Sequence, residues 1–384
     1  MTRAGRPPRL LMDAGPYSLE ATGITGIGLR IAELAETLAA DFPVRVMVDD
    51  THDCVRVDGA ELVSTSDWPA VLVESDIVFF FDLPDIRRLA EAERHGVLIV
   101  SENAPPVEHL EYPSVLGAPD PAGAHRDLVA AFVRQLRVSH HFLCRSRVER
   151  TTLIASLCVA GRLTPADVQR SRTLAHLVST VPIGFSAASA YAAADVAPQP
   201  LADVLWTGGL WSYFDPLLLV EAVARVRAAG TPLTAAFLYA PATGDSAEQV
   251  RRVADRVDAL GLADAVLLCD KPIRHEERDA VIKGARALVC VARPGIENDT
   301  CVRLRARDSR LYGVPTVVDP YGPTATELTG DGLARVLTSA TPDRLAGVLA
   351  GLRGAGAAGP REEYCYDRTV GDLRAWLRSA RHET

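Results

Sequence analysis

Lysine is almost missing from this 384-residue chain. Lys271 and Lys283 are the only two, against many arginines, a bias that points to a GC-rich genome rather than to function. Cysteine is sparse and scattered, seven residues with no Cys-x-x-Cys pair. An odd, unpaired set reads as reduced thiols in a cytoplasmic protein, not as a disulfide framework. The apolar stretches near Leu10 and Val78 fall far short of a membrane span, and residues 1–9 have no apolar run of a secretory leader, so a cytoplasmic location is expected. Asp-x-Asp occurs nowhere, so delivery of a phosphorylated donor by a divalent metal is unsupported. Neither Gly-x-x-x-x-Gly-Lys-Ser/Thr nor Gly-x-Ser-x-Gly is present, which weakens NTPase and hydrolase readings. His140 and His141 are adjacent, and neighbours on a strand point to opposite faces, so they do not readily chelate together. No metal site is expected.

What is present is ordinary for a soluble globular chain: 48% hydrophobic, 23% charged, net charge −8. The negative balance argues against a nucleic-acid backbone as partner. The length favours two domains over one core.

Strand and helix patterns alternate along the chain, which predicts parallel sheets with right-handed crossovers. The first set of strands is Arg9–Asp13, Pro43–Val48, Asp76–Phe81, Val97–Val100 and His140–Cys144. The Ala-, Ser- and Pro-rich stretch 185–200 reads as a linker. The cycle then restarts with strands at Asp203–Trp206, Leu233–Tyr239, Ala265–Cys269, Leu288–Ala292 and Thr316–Asp319, separated by helices. A last helix, Thr369–Ala380, follows a Gly/Ala/Pro-rich stretch.

Residues 297–319 carry the strongest functional signal. The segment starts acidic, continues with Arg303, Arg305 and Arg307, then reads Asp308, four residues, Gly313-Val314-Pro315 and a β-branched run. A loop feeding a helix offers amide groups and a positive dipole end to a phosphate, and arginines add bidentate charge. Asp308 is suited to accept from ribose hydroxyls.

The segment resembles the donor-site signature of retaining glycosyltransferases of the GT-B fold, family-4 type. Their pattern is Glu, seven residues, Glu, then a small-residue helix ending Gly-x-Pro. Asp308 falls on the second Glu. Thr300 falls on the first, a departure. Cys301-Val302-Arg303-Leu304-Arg305 resembles the Ser-Phe-Arg-Thr-Arg of a bacterial subgroup. Trp206 to Pro216 is similar to that subgroup's second-domain opening, and Phe142 to Ser146, Ala160 to Arg162 and Val181 to Gly184 to its interdomain region.

The resemblance implies two facing Rossmann-like, doubly wound α/β domains with a cleft between them. Residues 1–185 would bind the acceptor, with helix 365–384 packing back on them, and 200–360 would bind a nucleotide sugar. It implies a glycosyltransferase that moves sugar from a nucleotide-sugar donor to an acceptor hydroxyl, with retention, without metal, and with no cofactor beyond the nucleotide-diphosphate sugar as co-substrate. The acceptor would be a small molecule or glycan. Two other readings stay open: a catalytically inactive glycosyltransferase-like partner, motivated by Thr300 and by the lack of any basic residue between Trp206 and Arg225, and a nucleotide-sugar epimerase on the same fold.

The candidate residues follow. Gly208 and Gly209 form a backbone cradle for the diphosphate, with Lys271, Arg303 and Arg305 supplying charge. Lys271 reads equally well as a solvated surface lysine, and one arginine as a structural partner of Asp299 or Asp308. Asp308 would bind ribose, or else pair within its helix with Arg305 or Arg307. Glu297 would contact the transferred sugar. Glu102, Asn103 and His109, after the Val97–Val100 strand, would meet acceptor or sugar hydroxyls, the other reading being a polar surface turn. Gly23, Gly26 and Gly28, between the first strand and its helix, would let backbone approach a ligand, or else form a tight turn.

Overall fold

The computed structural model describes residues 6–102, 105–110, 112–241, 244, 246–271, 273–352 and 359–380. The chain divides into two compact units. One comprises Met1–His109, Pro119–Ala187 and Glu362–Thr384. The other comprises Leu110–Ala118 and Ala188–Arg361.

The first unit is a parallel sheet of seven strands. They are β1 (Leu10–Asp13), β2 (Val44–Val48), β3 (Ala60–Ser64), β4 (Ile77–Phe81), β5 (Leu98–Glu102), β6 (His141–Cys144) and β7 (Val178–Thr180), in the order β3-β2-β1-β4-β5-β6-β7. β1 and β4 are buried at every residue, as expected of strands covered by helices on both faces. The C-terminal segment belongs to this unit: Tyr366, Val370, Leu373 and Leu377 share a core with Leu10, Ile31 and Phe79.

The second unit carries β8 (Val204–Trp206), β9 (Ala235–Phe237), β10 (Val266–Leu268), β11 (Ala287–Cys290), β12 (Thr316–Val318) and β13 (Ala334–Val336), in the order β10-β9-β8-β11-β12-β13, again all parallel. The order reverses between β1 and β4 in one sheet and between β8 and β11 in the other. Ligands of open α/β sheets bind outside the carboxyl ends of strands at such switch points.

Two segments depart from the sequence reading. The 185–200 stretch holds a helix, Ala187–Asp195. Lys283 Nζ donates to the Ala193 and Val196 carbonyls at 2.6 and 2.7 Å, meeting C-terminal oxygens that the helix itself cannot bond. Residues 110–118, expected with the first domain, join the second unit, where Tyr112 stacks on Trp211 and Tyr213 with ring centroids 6.3 and 6.0 Å apart.

Candidate functional site

In the second unit the site is built around the turn after β8. Trp206 is fully buried and its indole N–H donates to the Gly209 carbonyl at 3.4 Å. Gly208 is needed for space, because a Cβ there would stand 2.9 Å from Arg305 Cζ and closer still to Nε. The Arg305 guanidinium fills that space. Nη2 donates to the Gly209 carbonyl, and Cζ lies 4.0 Å from the Phe214 ring centre and 4.7 Å from that of Trp206. Nη1 is buried without a hydrogen-bond partner, and no carboxylate among the described residues forms an ion pair with the side chain. Burial lowers the Arg305 pKa, a sign that its charge is poorly compensated. Gly209 lies against Trp211, whose indole nitrogen would be 3.2 Å from an added Cβ.

The neighbouring arginine is different. Arg303 is buried and its donors are occupied: Asn298 Oδ1 at 2.6 and 3.0 Å, the Cys290 carbonyl at 3.0 Å and Asp319 Oδ2 at 2.8 Å. It ties the segment to β11 and to the end of β12, so the expectation of a free phosphate ligand is corrected to a structural bridge. Asp308 is corrected likewise. It is only 2% exposed, with Oδ2 accepting from Arg278 at 2.6 Å and Oδ1 from Arg307 at 3.4 Å. Burial raises its pKa, but Arg278 and Arg307 outweigh that and hold the carboxyl below its usual value. It is a counter-ion rather than an acceptor open to ribose hydroxyls. Of the two partners that spacing suggested, Arg305 and Arg307, Arg307 does pair with it, but the shorter contact is to Arg278.

Glu297 is buried in the short helix Ile296–Thr300, beside Tyr213, whose hydroxyl burial and Glu297 push well above its usual pKa. Thr300 bonds back to the Ile296 carbonyl at 2.9 Å. The following helix, Ala306–Tyr312, ends at Gly313 in the left-handed region, φ 66°, which explains the glycine before β12. Lys271 is exposed just past β10.

In the first unit the polar groups collect at the carboxyl ends of β1, β4 and β5. Asp82 follows β4 with φ 58°, a conformation rare for a residue with a side chain and one that marks strain held by its surroundings. Tyr17 donates to its Oδ2, and His109 Nε2 lies 3.5 Å from Oδ1. Burial pushes the Asp82 carboxyl up, but His109, Tyr17 and Arg145 outweigh it and the pKa falls below the ordinary value. Asp13, at the end of β1, pairs with Arg88 at 2.7 Å, yet burial raises its pKa.

Glu102 takes another role than the sequence suggested. Arg30 grips both of its oxygens at 2.7–3.0 Å and also donates to the Val181 carbonyl and to Tyr366. This buried ion pair locks β5 to the C-terminal segment, so Glu102 is corrected to a structural residue. Asn103 lies outside the described residues.

Gly26 opens the helix Gly26–Ala39 and Gly23 precedes it at φ 150°. Gly28 is required for packing, since a Cβ there would collide with the Ser18 carbonyl oxygen. The helix N-terminus is capped by Thr25 Oγ1, which accepts from Gly28 N at 3.0 Å.

Asp82, Tyr17 and Arg278 are absent from the sequence candidates. Asp82 had a usable signal, the first polar residue after the unbroken apolar strand Ile77–Phe81. Arg278 had none, because its pairing with Asp308 spans 30 residues.

Among the described residues no three His, Cys, Asp or Glu groups are arranged to hold a metal, and no helix is long and apolar enough to cross a membrane. No protein-family model and no curated protein matches this sequence. Solved structures do match its fold. Anabaena HepE, in complex with UDP and glucose, aligns over 98% of this chain and 99% of its own with TM-score 0.57 and 13% identity. The trehalose-6-phosphate synthase OtsA aligns over 98% of both chains with TM-score 0.60 and 13% identity. A glycosyltransferase from Rickettsia africae aligns over 99% and 98% with TM-score 0.59 and 9% identity. The chain has the GT-B fold of these glycosyltransferases.

Proposed function

We propose that this chain is a glycosyltransferase that binds a nucleotide-diphosphate sugar on its second unit and passes the sugar to a hydroxyl of a small-molecule or glycan acceptor held by the first. The observation that carries this is Arg305, a largely buried guanidinium with no carboxylate partner among the described residues, set against two glycines at the carboxyl end of β8. A buried charge without a counter-ion is costly. A diphosphate supplies the missing anion and gains a bidentate partner. The fold shared with HepE, solved with UDP and glucose, supports the same reading.

Arg305 and the loop amides would stabilise the departing diphosphate as its charge develops. The departing phosphate itself would take the acceptor proton on the same face, giving retention with no side-chain nucleophile, no metal and no cofactor beyond the co-substrate. His109, oriented by Asp82, is our choice for holding the acceptor hydroxyl, and Glu297 with Tyr213 for holding the transferred sugar. The seven free cysteines support action in a reducing compartment such as the cytoplasm.

A thermal-shift panel of nucleoside mono- and diphosphates tests the donor assignment. One diphosphate should stabilise the protein in proportion to RT ln(1 + [L]/Kd), and more than its monophosphate. Arg305→Ala should weaken that binding by roughly 1.5–3 kcal/mol, the range for hydrogen bonds to charged groups. Equal stabilisation of wild type and variant would reject the site. The buried pairs at Glu102 and Asp308 favour a second reading, a catalytically silent partner that still binds donor. Turnover of a nucleotide sugar by the purified chain would remove it.

A further inference from the structure

We propose that the acceptor is a small ring alcohol with an apolar body, of the phenol class, whose ring fills a pocket in the first unit while its hydroxyl meets His109; this rests on the reading above that the first unit holds the acceptor. The pocket lies at the carboxyl ends of β5 and β6, between the helices Pro121–Val138 and Arg147–Val159. Phe132, Leu143, Cys144 and Leu153 form its apolar wall, each 2–7% exposed. Its volume is about 310 Å³, mouth included. That is the small end of the range for ligand sites, room for one ring rather than a long chain.

The polar groups of the lining are already engaged. Glu149 accepts from the Arg145 amide at 2.8 Å and from Arg145 Nε at 3.0 and 3.1 Å. Thr152 Oγ1 donates to the Val148 carbonyl at 3.1 Å and Ser156 Oγ to the Thr152 carbonyl at 2.9 Å, so both hydroxyl protons are turned back on their own helix. Burial pushes the Cys144 thiol well above its usual pKa, so it acts here as a small apolar group and not as a nucleophile. A sugar in this pocket would lose its bonds to water and gain few in return. An aromatic ring would lose none and gain edge or offset contact with Phe132. An apolar cavity that stays dry takes up small aromatic molecules.

The pocket adjoins the polar cluster at the end of β4. Gln135, one turn after Phe132, donates from Nε2 to the Asp82 carbonyl at 3.0 Å. Pro105, in the pocket lining, leads directly into the short helix Pro106–His109. At about 2 Å of rise per residue, Pro105 and His109 stand about 8 Å apart along that turn. One ring, its hydroxyl and a hydrogen bond cover such a span. His109 Nε2 in turn lies 3.5 Å from Asp82 Oδ1. A ring against Phe132 and a hydroxyl at His109 therefore fit within one small molecule.

Calorimetry and ligand-observed NMR with phenol, toluene and methyl glucoside test this on the full chain. Phenol should bind saturably, toluene about fivefold more weakly for want of one hydrogen bond, and methyl glucoside should not displace phenol. Ser156→Leu, at a half-buried helix position on the pocket wall, should fill the space and lower phenol affinity about tenfold or more, with nucleoside diphosphate binding and melting temperature unchanged. Thr152→Leu, one turn earlier on the same wall, repeats the block if Ser156→Leu does not fold. His109→Ala should bring phenol down to the affinity of toluene and leave toluene as in wild type. No phenol binding, phenol bound by the folded blocking variant as by wild type, displacement of phenol by methyl glucoside, or a phenol preference that survives in His109→Ala each overturns the inference. The functional reading then still stands if a nucleoside diphosphate binds through Arg305. If wild type binds no nucleoside diphosphate, the functional reading fails and the acceptor role of the pocket fails with it.

Discussion

The Arg305 guanidinium lies 4.0 Å from the centre of the Phe214 ring, and no carboxylate among the described residues pairs with it. A cation over an aromatic face is stabilised by about 0.5–2 kcal/mol, less than a full ion pair supplies in a buried setting. Arg305 is thus held in place without being neutralised, which is the state that an anion site needs before its ligand arrives.

Gly208→Ala should break this arrangement from the other side. The added methyl would occupy the space of the guanidinium, so Arg305 must leave. Nucleoside diphosphate affinity should fall about tenfold or more, which is about 1.4 kcal/mol, with little change in thermal stability. Calorimetry on the folded variant decides it, and wild-type affinity would show that Arg305 is not the anion ligand.

Asp308→Ala should act on stability. It strips the charge partner from Arg278 and Arg307, and removing one partner of a buried pair costs about 3–5 kcal/mol. Urea unfolding would report a lower midpoint. Any loss of nucleotide affinity should be equal for ribose and 2′,3′-dideoxyribose forms. A loss confined to the ribose form would restore the ribose role that the sequence suggested.

The sheets were legible because their central strands are unbroken apolar runs, such as Ile77–Phe81, followed at once by polar residues. The edge strands were not. Ala60–Ser64 has no fully buried residue, and Ala334–Val336 is mostly exposed, so neither carries a hydrophobic pattern. The closeness of Gly208, Gly209 and Arg305 was legible because local motifs carry all three. Pairings between distant residues were not legible. Nothing near Glu102 signals that Arg30, 72 residues earlier, takes its carboxylate. Nothing near Arg303 signals Asp319 as its partner.

His141 gives a pH prediction. Burial lowers its pKa from 6.5 to about 3, and the ring is stacked 4.4 Å from Trp376 with Nε2 2.9 Å from Ser179 Oγ. A group whose basic form is kept in the folded state leaves the unfolded chain to bind the proton first. Stability should therefore be full above about pH 6.5 and fall towards pH 3, with a slope of up to about 1.4 kcal/mol per pH unit. In His141→Gln the slope between pH 6.5 and pH 4.5 should be smaller, as measured by denaturant midpoints. An unchanged slope would mean that His141 titrates normally.

Metal independence can be tested once turnover is measurable. Activity should survive excess EDTA if, as proposed, Arg305 and the loop amides neutralise the diphosphate. Loss on chelation, restored by magnesium or manganese, would show that a metal does this work.

The most direct measurement is release of nucleoside diphosphate from a panel of nucleotide sugars, followed chromatographically with the purified chain, in the presence of candidate acceptors and of water alone. One nucleotide sugar should yield its diphosphate, with Arg305→Ala slower by at least tenfold. Tight binding of a nucleotide sugar with no diphosphate released under any condition, or release that is indifferent to Arg305, would contradict the account.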